Sequence, residues 1–131
     1  LRNGAISVTS DATANFDTGG DTESVGNIIN LGDHDGDGVG DIGLAYYKEV
    51  DNKNGKLRIL SNNGDWWGAY DFSTSYHIEV VGGDEGAHFS AASAITPVDL
   101  NNDGKRDILI GDPDGGLSAF GRAFIFYNYS E

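Results

Sequence analysis

Apolar positions along this chain come in short runs bounded by glycine, asparagine or aspartate, with no long stripe of helical period. Residues 5–9 alternate; a polar loop rich in Asp, Thr and Ala follows, and a turn is predicted from Phe16 to Asp21. Residues 25–31 (VGNIINL) read as a strand. Residues 42–47 are apolar at nearly every position, the pattern of a strand buried on both faces. Hairpin-turn chemistry follows at Asp51, Asn52, Lys53, Asn54 and Gly55. Residues 56–61 alternate, with Leu57 and Ile59 on one face, and the chain turns again at Asn62, Asn63, Gly64 and Asp65. Trp66, Trp67, Tyr70 and Phe72 form an aromatic cluster, and residues 76–81 make a strand ended by Gly82, Gly83 and Asp84. The order then repeats. Strands are predicted over 89–98, 107–111 and 121–127, the last with Phe124 and Phe126 opposite Ile125 and Tyr127. Many short strands with 20 glycines and two prolines predict an all-β protein.

Two of the polar intervals carry chemistry. Asp33, Asp35, Asp37 and Asp41 occupy positions 1, 3, 5 and 9 of a glycine-rich loop, and Asp99, Asn101, Asp103 and Asp107 occupy the same positions of a second. Side chains at alternate positions of a tight loop can turn onto one ion. Calcium takes six to eight oxygens at about 2.3–2.6 Å in a flexible shell, which suits this donor set. Position 7 supplies a backbone carbonyl, so Val39 and Lys105 are tolerated there, and glycine at position 6 (Gly38, Gly104) permits the sharp turn. Position 12 is Leu44 or Ile110 and a strand follows, so neither loop is an EF-hand, which needs a bidentate Glu there and flanking helices. Magnesium prefers a rigid octahedron, and zinc would need Cys or clustered His, so two calcium sites are expected. The competing reading is that Asp-Gly clusters are solvated turns; two loops matched at four positions, each leading into a strand, weigh against it.

The spacing between the loops is informative. Asp33 to Asp99, Asp41 to Asp107 and Gly55 to Gly121 are each 66 residues. The first repeat runs on through two further strands, whereas the second stops soon after Gly121, and its missing outer strand matches the opening of the chain. The 131 residues are therefore expected to form one two-repeat module: 1–24 as outer strands of a permuted blade, 25–87 as the first repeat and 88–131 as the incomplete second, with one blade completed across the termini.

Charge narrows the partners. Eight Lys+Arg against 21 Asp+Glu give a formal charge of −13, which argues against nucleic acid or an anionic membrane surface. No apolar run is long enough to span a membrane as a helix. Calcium dependence favours a secreted or cell-surface location. The chain begins at Leu1 rather than Met, as expected of a processed product or an excerpt. His34, His77 and His88 share no ligand spacing, and His34, at loop position 2, is expected to point outward. With no nucleophile elbow, phosphate loop or dinucleotide fingerprint, an enzyme is not expected. Asn128 opens an N-glycosylation triplet.

The two loops and their flanking strands resemble the FG-GAP repeat of integrin-α-type β-propellers, a repeat with a DxDxDGxxD calcium loop between a Phe-Gly strand and a Gly-Ala-Pro-like turn. Gly111, Asp112 and Pro113 stand for Gly-Ala-Pro in the second repeat, and Ala45, Tyr46 and Tyr47 in the first; Val25-Gly26 and Phe89-Ser90 stand for Phe-Gly. The resemblance implies propeller-type blades of four antiparallel strands, structural calcium, and extracellular adhesion or protein–protein contact. Propellers typically use four to eight blades, so two do not close a ring. Three resolutions stay open: part of a longer propeller, a ring of several copies, or an open filament. The expected partner is another protein or further copies of the chain. A carbohydrate-binding or glycan-active propeller, using Trp66, Trp67 and Tyr70, is the alternative.

Overall fold

The computed structural model describes residues 12–17, 24–48, 55–62, 64–83, 95–113 and 120–127. Their regular structure is all β: β1 (Ala14–Asp17), β2 (Ser24–Gly32), β3 (Asp41–Lys48), β4 (Lys56–Leu60), β5 (Gly68–Asp71), β6 (Ile78–Val81), β7 (Ile95–Val98), β8 (Asp107–Asp112) and β9 (Arg122–Phe126). They form a four-stranded sheet ordered β2-β3-β4-β6, a three-stranded sheet ordered β7-β8-β9 and a two-stranded ribbon of β1 and β5. None is closed. The two larger sheets are antiparallel throughout.

The first sheet is buried on both faces, as the unbroken apolar run of β3 predicts. On one face Ala45, Leu57, Ile59 and Ile78 join Leu31 and, from the second sheet, Ile108 and Ile110, with Phe124 and Phe126 packed against them. On the other, Leu44, Tyr46 and Leu60 join Phe72, covered by Phe16, Trp66 and Tyr70. Three layers result: the β1–β5 ribbon, the first sheet and the second sheet.

Alternation in β4 identifies Leu57 and Ile59 correctly but leaves the other face looking polar, and that face is buried too. Its charges are housed rather than solvated. The Arg58 Nε–H donates to Glu79 Oε2 on the neighbouring strand at 2.6 Å and an Nη1–H donates to the Phe72 carbonyl at 3.1 Å. The guanidinium also lies over the rings of Tyr46 and Tyr76, at 5.3 and 4.6 Å. Desolvating a charge is costly unless it is paired, and here carboxylate, carbonyl and aromatic faces share that task.

The 66-residue period is visible in the strand pairing. β3 meets β4 as Ile42↔Leu60, Gly43↔Ile59, Leu44↔Arg58, Ala45↔Leu57 and Tyr46↔Lys56. β8 meets β9 as Ile108↔Phe126, Leu109↔Ile125, Ile110↔Phe124, Gly111↔Ala123 and Asp112↔Arg122, the same register moved by 66 at every pair. Gly32↔Asp41 and Val98↔Asp107 correspond likewise. A bulge between Asn30 and Gly32 then moves β2 one residue out of step with β7.

The turn predicted from Phe16 is corrected. Phe16 lies in β1, which pairs in parallel with β5 as Phe16↔Tyr70 and Asp17↔Asp71. Its ring sits 5.4–5.6 Å from those of Trp66, Tyr70 and Phe72. Four residues with one aromatic give too little period to read as a strand; a partner 54 positions away makes them one. Trp67 is corrected as well, since it is 76% exposed and stands apart from the cluster. The expected strand at 5–9, residues 51–54, 84–94 and 114–119, and Asn128 lie outside the described residues.

Candidate metal centre

The first loop leaves β2 at Gly32 and enters β3 at Asp41. Carboxylate oxygens of Asp33, Asp35 and Asp37 all lie within 4.8 Å of one another. Oxygens on one coordination sphere of radius about 2.4 Å are separated by at most its diameter, about 4.8 Å. The three are therefore gathered closely enough to hold one metal ion.

Backbone amides hold the carboxylates there. Gly36 N–H donates to Asp33 Oδ1 (2.7 Å) and Gly38 N–H to Asp33 Oδ2 (2.9 Å). Asp37 N–H donates to Asp35 Oδ1 (3.1 Å) and Val39 N–H to Asp37 Oδ1 (2.7 Å). Asp35 and Asp37 thus each commit one oxygen to a backbone amide of the loop. Asp41 behaves differently. It is 0% exposed, and its Oδ2 accepts the N–H of His34 at 2.7 Å and of Asp35 at 3.3 Å. Its Oδ1 is buried with no hydrogen-bond partner in the protein. Burial pushes the Asp41 carboxyl above its ordinary range, against the lowering effect of the His34 amide. A buried carboxylate with one oxygen unmatched is a site that a cation would complete.

The second loop repeats the pattern atom for atom at four points. Gly104 N–H donates to Asp99 Oδ2 (2.9 Å), Asp103 N–H to Asn101 Oδ1 (3.1 Å), Lys105 N–H to Asp103 Oδ1 (2.9 Å) and Leu100 N–H to Asp107 Oδ2 (2.8 Å). Asp107 is also 0% exposed. Positions 4 and 6 take left-handed backbone in both loops: Gly36 and Gly38 at φ 87° and 91°, Asn102 and Gly104 at 60° and 86°. The demand at position 4 is missed from the sequence, although glycine and asparagine are the residues that tolerate it. The loops differ at position 3, where the Asn101 side-chain amide donates to Asp103 Oδ2 at 2.8 Å and lowers the local negative charge by one.

Position 2 of the first loop, expected to point outward, does not: His34 is buried. Of the predicted donors, the structure brings Asp33, Asp35 and Asp37 together, sets Asp41 and Asp107 beneath their loops, and engages Val39 and Lys105 through their amides. Trp66 Nε1–H donates to the Gly40 carbonyl at 3.0 Å, fastening the end of the first loop to the aromatic layer. The second loop reaches the end of β2 that leads into the first. Arg106, at position 8 of the second, packs so closely on Gly32 that a Cβ there would fall 2.7 Å from its Nε. No family model and no curated protein matches the chain.

Proposed function

We propose that the chain is a non-enzymatic, calcium-stabilised module of FG-GAP-like repeats, its two larger sheets serving as propeller-type blades. It acts outside the cell, in protein–protein contact or assembly with further copies of itself. Calcium is held by Asp33, Asp35, Asp37 and Asp41 with the Val39 carbonyl in the first loop. Asp99, Asn101, Asp103 and Asp107 with the Lys105 carbonyl hold it in the second. The ion's contribution is to neutralise crowded carboxylates and to fix the connection between two strands, not to activate a substrate. The observation that carries this reading is the matched pair of loops, each with amide-anchored oxygens above a buried position-9 carboxylate.

Calorimetric titration with calcium and with magnesium tests the assignment. Two calcium ions should bind per chain, the first loop more tightly, because four carboxylates attract a dication more strongly than three. Absence of calcium binding, or tighter binding of magnesium, would refute it.

A further inference from the structure

We propose that Trp66 is a positioning residue of the first calcium site, through which calcium binding and docking of the β1–β5 ribbon reinforce each other; the inference rests on the calcium-module reading above. The indole Nε1–H donates to the Gly40 carbonyl at 3.0 Å. Gly40 is position 8 of the loop. It lies between Val39, whose carbonyl that reading assigns to the ion, and Asp41, the buried carboxylate at position 9. The Gly40 carbonyl belongs to the peptide plane that leads into Asp41, and the Val39 carbonyl belongs to the plane before it. The φ and ψ of Gly40 alone set the angle between those planes. Glycine has more backbone freedom than any other residue. A Cβ at Gly40 would meet nothing within 4 Å, so no neighbour confines the residue on that side. A hydrogen bond to its carbonyl therefore steadies the joint between two donors.

The anchor is itself held by the ribbon. The Trp66 ring meets Phe16 of β1 edge-on at 5.6 Å and Tyr70 of β5 at 5.1 Å, and Phe16 stacks on Tyr70 at 5.4 Å. Backbone bonds close the ribbon at either end: Gly68 N–H donates to the Thr13 carbonyl at 3.0 Å and Phe72 N–H to the Asp17 carbonyl at 2.8 Å. The indole bond lies at an exposed site, where water competes for both partners, so its strength depends on the ring packing that aims the N–H. Docking of β1 orients Trp66, Trp66 orients Gly40, and Gly40 sets Val39 relative to Asp41. Linkage is reciprocal: the factor by which the docked ribbon raises calcium affinity is the factor by which calcium favours docking. The second loop carries Arg106 at position 8, whose Cβ already narrows the backbone, and it serves as an internal control.

Calcium affinity is measured by calorimetry one loop at a time, in Asp103→Ala chains for the first loop and in Asp35→Ala chains for the second. Trp66→Phe keeps an aromatic ring and removes the donor. It should weaken the first loop about two- to tenfold, the worth of one hydrogen bond, and leave the second unchanged. Phe16→Ala, which alters neither loop, should also weaken the first alone. Reciprocally, calcium should slow amide hydrogen exchange at Gly68 and Phe72 in Asp103→Ala chains, and the slowing should shrink by the same factor when Trp66→Phe is added. If Trp66→Phe does not fold, Phe16→Ala and the exchange of the Asp103→Ala chain decide the matter. A lower melting temperature with first-loop affinity unchanged overturns the proposal, because Trp66 would then serve packing alone. Equal weakening of both loops overturns it as well, and either result leaves the calcium reading intact. Absence of calcium binding in the wild type overturns both.

Discussion

Replacing Asp41 by Asn changes one charge at the buried floor of the first loop while keeping the shape. The amide oxygen can still accept the His34 N–H that Asp41 Oδ2 accepts at 2.7 Å. Without calcium, the wild type bears a desolvated carboxylate whose Oδ1 has no protein partner. The variant removes that charge but leaves a buried amide N–H₂ in its place, and the two costs, each about 1–3 kcal/mol, nearly cancel. Its stability in chelator should therefore lie within about 1 kcal/mol of the wild type. With calcium the balance reverses. An ion at 100 times its Kd stabilises the fold by about 2.7 kcal/mol, and a hundredfold weaker site retains little of it. The variant should then melt roughly 10 °C lower than the wild type, at about 4 °C per kcal/mol for a chain of this length. The pH dependence has a definite sign. Burial raises the folded-state pKa of Asp41, so in chelator its ionisation costs stability as pH rises through the carboxylate range, and the wild type gains on the variant as pH falls. The assay is thermal unfolding by circular dichroism at neutral and acid pH, each with calcium and with chelator. Equal losses of melting temperature with and without calcium would refute the argument, because Asp41 would then serve the loop and not an ion.

Asp35→Ala and Asp103→Ala should lower the melting temperature when calcium is present. In chelator Asp35→Ala should cost about 1 kcal/mol, the worth of the exposed amide bond Asp35 accepts, and Asp103→Ala about 1–2 kcal/mol, because Asp103 accepts both the Lys105 N–H and the Asn101 side-chain amide. Phe16→Ala removes a ring in contact with Trp66, Tyr70 and Phe72 and should cost about 2–3 kcal/mol in urea unfolding, with a change in tryptophan fluorescence as the β1 cover loosens. Gly43→Ala would place a Cβ 3.3 Å from Leu57 Cδ1 and 3.4 Å from Leu31 Cδ1, overpacking that should cost about 1–3 kcal/mol by the same assay. The Ser73 hydroxyl and amide hold the Asp71 carboxyl below its ordinary range, so its contribution is present above that range and lost as pH falls through it. Asp71→Asn should flatten this part of the acid unfolding profile.

Much of the molecule is legible in its amino acids because the relevant signals are short-ranged. Ligand spacing over nine residues, left-handed turn residues at fixed positions and apolar runs of four to eight residues are local properties, and they locate both loops and the strands around them. The 66-residue period is equally local in origin, since each repeat folds by the same rules, and it reappears in the register of β3–β4 and β8–β9. What only the tertiary structure decided depends on which layer covers which face. Phe16 becomes a strand residue because β5 and the aromatic side chains near it offer a partner. Arg58 is buried because Glu79, the Phe72 carbonyl and two tyrosine rings meet around it from separate segments. His34 is buried and Trp67 exposed against their expected placement, since packing against a neighbouring element leaves no trace in the residues on either side. The contrast is sharpest at Asp41: its spacing names it as a ligand, but only its enclosure beneath the loop leaves a carboxylate oxygen with no protein partner. Periodicity records how a segment folds on itself, whereas the burial of a charge is settled by what the rest of the chain places over it.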